Sequence, residues 1–258
     1  MTKLSSLMTS ALSLAAFLPA LTMAAPAMAA PAGSIKNIVL VHGAFVDGSG
    51  WKAVSDILTT DGYAVTIVQP PETSLDDDIA ATNRMIDRQD GPVILVGHSY
   101  GGAIITGAGN NSKVTALVYV AAFQPDVGES ARSLGLKTPP ASNAVAPSPD
   151  GFLFIDPAKF ADDFAADLPA DVTDLMARSQ VPMSLKSATG VATAPAWKTK
   201  PSYAIVATQD RAINPDLERA MYKRSGSITT EIVGSHAVYM SQPKAVAAVI
   251  EQAATARR

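Results

Sequence analysis

The chain has 258 residues, 48% of them hydrophobic and 17% charged, which supports one large α/β domain with a substantial core rather than two small ones. Its 20 Lys and Arg are scattered among 23 Asp and Glu, for a net charge of −3, and leave no nucleic-acid footprint. Cysteine is absent, so disulfide and thiol chemistry are excluded.

Residues 1–29 read as a cleaved secretory signal peptide. Lys3 supplies a positive start, Leu7 to Met23 is apolar and interrupted by Pro19, and Ala27-Met28-Ala29 fits a small-x-small cleavage site. The expectation is a mature domain, 30–258, in the periplasm or outside the cell. No later stretch reads as a membrane span.

Ile35 to Val41 is a β-branched-rich run without helical period and reads as a buried strand. It ends in His42-Gly43-Ala44-Phe45. Trp51 to Thr60 is a helix, Tyr63 to Val68 a strand, and Ser74 to Gln89 a helix capped by Ser74. Asp76, Asp77 and Asp78 fall in the first turn of that helix, where its dipole favours them. Val93 to Val96 is a further buried strand that stops at Gly97, and Val114 to Phe123 is another. From 124 to 200 the alternation breaks. This stretch is rich in Pro, Ala, Ser and Asp, with short apolar clusters that include Phe152-Leu153-Phe154, Phe160, Phe164 and Trp197. It reads as an inserted cap of short helices and loops over the sheet edge. Alternation resumes with a strand over Ser202–Thr208, a helix over Pro215–Arg224, a strand over Ser227–Val233 and a helix over Gln242–Ala254. Repeated strand–helix units imply a mainly parallel sheet with helices on both faces.

Gly97-His98-Ser99-Tyr100-Gly101 fits the G-x-S-x-G pattern. A serine on a sharp strand-to-helix turn needs neighbours without a Cβ, and the helix start behind it offers N–H groups to a developing negative charge. Serine is a poor nucleophile unless a base takes its proton. The chain has three histidines. His42 precedes the glycine of the first loop, and His98 sits inside the turn and is expected to point away from Ser99. His236, after a late strand, is therefore the candidate base. Asp210 is the first choice for the acid that orients it, with Asp126 as competitor and Asp216 as a third option. Backbone N–H groups of Tyr100 and Ala44, with Phe45 next, are candidates for an oxyanion hole. Phe45 and Trp197 are candidate substrate-binding residues. The Gly48-Ser49-Gly50 loop lacks the pattern of a nucleotide site, and the chemistry calls for neither metal nor cofactor.

With these residues assembled, the chain resembles α/β-hydrolases. Val41-His-Gly-Ala-Phe45, Gly97-His-Ser-Tyr-Gly-Gly102 and Asp210-Arg-Ala-Ile-Asn-Pro215 followed by Gly234-Ser-His236 look closest to the group of plant methyl esterases, plant hydroxynitrile lyases and bacterial esterase relatives. The resemblance implies Ser99, Asp210 and His236 as a triad and Ala44 and Tyr100 as oxyanion donors. Lyases of this group carry lysine after the histidine and cysteine after the serine. Here those positions are Ala237 and Tyr100. The expected activity is hydrolysis of a small-molecule carboxylic ester with a hydrophobic part. Lactone opening or lyase chemistry at the same site, and a non-catalytic binding protein on this fold, are the alternatives.

Overall fold

The computed structural model describes residues 30–31 and 33–256. The expected signal peptide, 1–29, lies outside them. The first half of the domain alternates without interruption: β1 (Asn37–Val41), α1 (Lys52–Thr60), β2 (Ala64–Val68), α2 (Leu75–Asp87), β3 (Val93–His98), α3 (Gly101–Ala108) and β4 (Val114–Val120). An excursion follows, with α4 (Ala131–Lys137), β5 (Val145–Pro147), β6 (Phe152–Ile155), α5 (Phe160–Phe164), α6 (Ala170–Arg178), β7 (Met183–Ser184) and α7 (Leu185–Thr189). The chain then returns through β8 (Ser202–Ala207), α8 (Pro215–Ser225), β9 (Ile228–Ile232), α9 (Val238–Ser241) and α10 (Pro243–Thr255).

Six strands form one parallel sheet in the order β2-β1-β3-β4-β8-β9. The sequence explains which strands are central. β1, β3 and β8 are buried along their whole length, whereas the edge strands β2 and β9 carry exposed positions. A strand covered on both faces reads as a continuous apolar run, and an edge strand does not. Alternate side chains divide the core in two. Val39, Val41, Leu95, Leu117 and Tyr119 face the side of α2, α3 and α8, while Ile38, Leu40, Ile94, Val96 and Val118 face α1 and α10. The chain steps from β1 outward to β2 and then back across to β3. Strand order therefore reverses between β1 and β3, and a crevice opens there at the carboxyl ends.

Two local expectations need correction. β4 ends at Val120 rather than Phe123, because Ala121 turns the chain with a φ of +44°. The Phe123 N–H then donates to the Ser99 carbonyl at 3.1 Å, so this turn braces the back of the serine. The excursion is not made of short helices and loops alone: β5, β6 and β7 form an antiparallel sheet. Its strands span only three, four and two residues, too short for a period of two to show in the sequence.

Candidate active site

The turn between β3 and α3 holds Ser99 at a φ of +54°, a conformation that costs a non-glycine residue free energy and is kept only when its surroundings enforce it. The surroundings are backbone. A Cβ on Gly97 would lie 2.5 Å from the Gly101 carbonyl oxygen, and one on Gly101 would lie 2.6 Å from that of His42. Any side chain at either position would push the turn open. The glycines at both ends of the pattern are thus demanded by close approach, and they place Ser99 at the β1/β3 crevice.

The structure brings the three expected residues together. His236 Nε2 is 2.8 Å from Ser99 Oγ, and His236 Nδ1 is 2.5 Å from Asp210 Oδ2. The other Asp210 oxygen accepts the backbone N–H groups of Ala212 and Ile213 at 2.7 and 2.8 Å. These two donors fix the plane of the carboxylate. All three side chains are buried. Asp126 is elsewhere. Lys198 pairs with it at the surface and holds it below the usual carboxylate range. Asp216 pairs with Arg219 on α8.

His98 points away from Ser99, and it also has a task the sequence did not reveal. Its Nε2 is 2.9 Å from the His236 carbonyl oxygen, which can only accept, so the proton is on Nε2. Burial holds this imidazole well below its ordinary value and keeps it neutral. The ring packs 4.7 Å from that of His236. The excursion grips the same loop from above. Asp167 accepts from the backbone N–H and hydroxyl of Ser235, the Ala237 N–H donates to the Phe164 carbonyl, and the Phe164 ring meets His236 edge-on at 4.7 Å. Asp167 and Phe164 lie some seventy residues from His236 in sequence, and no local pattern links them.

Ala44 and Tyr100 line the same cavity as Ser99, and their backbone N–H groups have no acceptor among the described residues. The Phe45 N–H differs. It is turned toward the Glu72 carboxyl. Behind these donors lies a buried polar cluster. Tyr100 Oη donates to Asp78 Oδ2 at 2.6 Å, the Glu72 N–H donates to Asp78 Oδ1 at 2.6 Å, and Ser187 of α7 donates to Asp78 at 3.2 Å. Asp78 lies in the first turn of α2, as the sequence placed it, and has this further task as well. Asp76 and Asp77 face solvent, whereas Asp78 turns inward and ties the residue after Ser99 to the excursion. Burial pushes the Asp78 carboxyl up and the Tyr100 phenol higher still, so the phenol keeps the proton it donates.

Glu72 is fully buried, has a φ of +55° and lacks a hydrogen-bond partner among the described residues for either side-chain oxygen. Burial, reinforced by the Asp78 charge, pushes its carboxyl up to about 10, while burial lowers His42. Their 3.7 Å approach is therefore a contact between neutral groups. The raised value carries a sign. Between the ordinary carboxylate range and about 10, native Glu72 keeps a proton that the unfolded chain has released. Its contribution to stability is complete at low pH and falls as pH rises, with a limiting slope of about 1.4 kcal/mol per pH unit. Glu72→Gln removes that loss. The melting-temperature difference between variant and parent is expected to grow in favour of the variant from about pH 5 to about pH 9. A constant difference would contradict the assignment.

A cavity of about 300 Å³ opens from Ser99 and His236 beneath the excursion. Phe45, Phe123, Leu153, Ile155, Phe164 and Met183 give it apolar walls, and Arg132, Ser142 and Asn143 are polar groups in its lining. Phe45 is where the sequence placed it. Trp197 is not in the cavity. Its indole N–H donates to the Pro125 carbonyl at 2.9 Å, and its ring lies beside the Lys198 and Arg224 cations. It is a packing residue at the root of the excursion; aromatic character alone does not tell a pocket wall from a buried anchor.

A strained serine between a parallel sheet and a helix, with an imidazole and carboxylate returning from later strands, is the architecture of one large class. A family model described as the alpha/beta hydrolase family matches residues 38–249, and the chain belongs to that family. Within it, the chain is 34% identical over 114 residues to a carbendazim hydrolyzing esterase from Nocardioides sp. (strain SG-4G). That match covers 38% of this chain and 46% of that protein, under half its length. Among solved structures, a pyrethroid hydrolase from Sphingobium faniae JZ-2 superposes with a TM-score of 0.74 at 22% identity, covering 86% of this chain and 98% of its own. Polyneuridine aldehyde esterase superposes with a TM-score of 0.71 at 19% identity, covering 83% and 97%. An extracellular α/β-hydrolase from a Paenibacillus species gives a TM-score of 0.71 at 18% identity, covering 86% and 100%. At these identities the superpositions establish a shared fold.

Proposed function

We propose that this protein is an exported serine esterase that hydrolyses carboxylic esters bearing a hydrophobic group through an acyl-enzyme on Ser99. The observation that carries the reading is the continuous hydrogen-bonded line from Asp210 through His236 to Ser99 Oγ. His236 Nε2 takes the Ser99 proton as Oγ attacks the ester carbonyl. The Ala44 and Tyr100 N–H groups, which otherwise lack acceptors, hold the oxyanion. The tetrahedral intermediate collapses, the alkoxide leaves with the proton from His236, and the acyl group stays on Ser99. Water, deprotonated by His236, then attacks the acyl carbonyl through a second oxyanion and frees the acid. Asp210 stays ionised throughout and holds His236 with its Nδ1 proton inward. The chemistry needs no metal or cofactor. Export rests on the Lys3 start, the apolar run and the Ala27-Met28-Ala29 site.

The apolar walls support a bulky, water-poor acyl or alcohol part. The names of the carbendazim hydrolyzing esterase and the pyrethroid hydrolase agree with hydrolysis. A p-nitrophenyl ester series tests this. For the signal-free protein kcat/KM is expected to rise from acetate to butyrate or hexanoate and to fall for long-chain esters. Leu153→Trp, which fills the cavity wall, is expected to move the optimum to shorter chains. An unchanged optimum would place the acyl group outside this cavity. Ala237, where related lyases carry lysine, supports hydrolysis over lyase chemistry.

A further inference from the structure

Beneath the triad acid lies a second carboxyl that ester hydrolysis does not use. Glu218, in the first turn of α8, is fully buried. Its Oε2 accepts the Ala207 N–H at 3.2 Å, and among the described residues no donor reaches its Oε1. The Asp210 N–H donates to the Ala207 carbonyl at 3.1 Å, so Ala207 is bonded through its N–H to Glu218 and through its carbonyl to Asp210, and the two buried carboxyls meet at that turn. Two ionised carboxylates in contact in a dry core repel strongly, so one proton must lie between them.

The surroundings decide which carboxyl holds it. Asp210 already accepts from Ala212, Ile213 and His236, three of the four lone-pair sites of a carboxylate. It is built as an anion. Glu218 receives one backbone N–H. The neighbouring Arg219 is engaged outward with Asp216 and Glu231, and the Tyr222 hydroxyl is engaged with the backbone of Ala122. Burial, reinforced by the Asp210 charge, pushes the Glu218 carboxyl well above the usual range.

We propose that Glu218 is a positioning residue of the triad: a neutral carboxylic acid whose O–H donates to Asp210, fills its remaining acceptor site and locks the carboxylate plane that aligns His236. The kinetic part of this proposal rests on the serine-esterase reading. The protonation part does not. Glu218 thereby also takes up part of the Asp210 charge. Without that donor the whole Asp210 charge faces the imidazolium formed during turnover.

Two variants separate the donor from the space it fills. Glu218→Gln keeps an N–H donor toward Asp210 and an oxygen for the Ala207 N–H, whereas Glu218→Leu keeps only volume. Infrared spectra at about pH 8, well above the ordinary carboxylate range, are expected to show a weaker protonated-carboxyl C=O band in Glu218→Gln than in the parent, the remainder coming from Glu72. Ser99 labelling by a p-nitrophenyl phosphonate and ester turnover are expected to stay within about threefold of the parent in Glu218→Gln. In Glu218→Leu both are expected to fall by about tenfold or more, with KM within about twofold. The acid limb of kcat/KM is expected to move to higher pH in Glu218→Leu alone, a displacement that loss of packing would not produce.

An infrared band unchanged in Glu218→Gln overturns the proposal. So does a folded Glu218→Leu variant that labels at the parent's rate with the parent's pH profile. If Glu218→Leu does not fold, the band and the retained reactivity of Glu218→Gln decide. A parent that labels but does not hydrolyse esters overturns the substrate reading, and the labelling rates still decide this one. A parent that does not label overturns the serine reading, and the infrared band then decides the protonation state.

Discussion

Ser99→Ala is expected to lower kcat for ester hydrolysis by about 10⁶ and to leave the fold intact. The size follows from the role: with Oγ gone no acyl-enzyme forms, and what remains is water attacking a bound ester. The fold survives because alanine keeps the Cβ that already tolerates a φ of +54°, with the same glycine-cleared surroundings. His236 loses one partner but keeps Asp210, and its carbonyl keeps His98. The melting temperature of the variant should therefore equal or exceed that of the parent. Turnover by Ser99→Ala within about tenfold of the parent would remove Ser99 from the chemistry.

Asp210→Asn is expected to cost about 10⁴ in kcat, with KM little changed, whereas Asp126→Asn is expected to leave both within about twofold. The backbone decides the first outcome. The Ala212 and Ile213 N–H groups require an oxygen where Oδ1 of Asp210 now stands, so the amide nitrogen of the substituted side chain would face His236. An N–H there needs an acceptor, which forces the His236 proton onto Nε2 and aims it at Ser99 Oγ. The base then has its lone pair on the wrong side. Asp126 pairs with Lys198 on the surface, where loss of an exposed ion pair is worth at most about 1 kcal/mol of stability. Equal losses in the two variants would mean that the triad acid is misassigned.

The part of this molecule legible in the sequence is the part set by short-range rules. A central strand buried on both faces must be a continuous apolar run, and Val93–Val96 is one. A serine turn that packs backbone on backbone must clear its Cβ atoms, and Gly97 and Gly101 do so. Scarcity helps as well, since three histidines leave little choice of base. What escapes is set by contacts distant in sequence. Asp78 reads only as a first-turn helix residue because nothing local reports that Tyr100 lies over it. Trp197 looks like a pocket wall because an aromatic side chain carries no address. The β5–β7 sheet is hidden by strands shorter than the period that would reveal them. Glu218 sits in an ordinary first turn of a helix, and only the fold carries Asp210 onto it.

The acyl-enzyme is the species on which the mechanism most directly depends. Protein spanning residues 30–258 should be mixed with p-nitrophenyl butyrate, quenched in acid during turnover, and read by intact and peptide mass. The expected result is a burst of p-nitrophenol, close to one equivalent of protein, with one butyryl group on the peptide that contains Ser99 and none in Ser99→Ala. Full turnover with no adduct, or with the adduct on another residue, would contradict it.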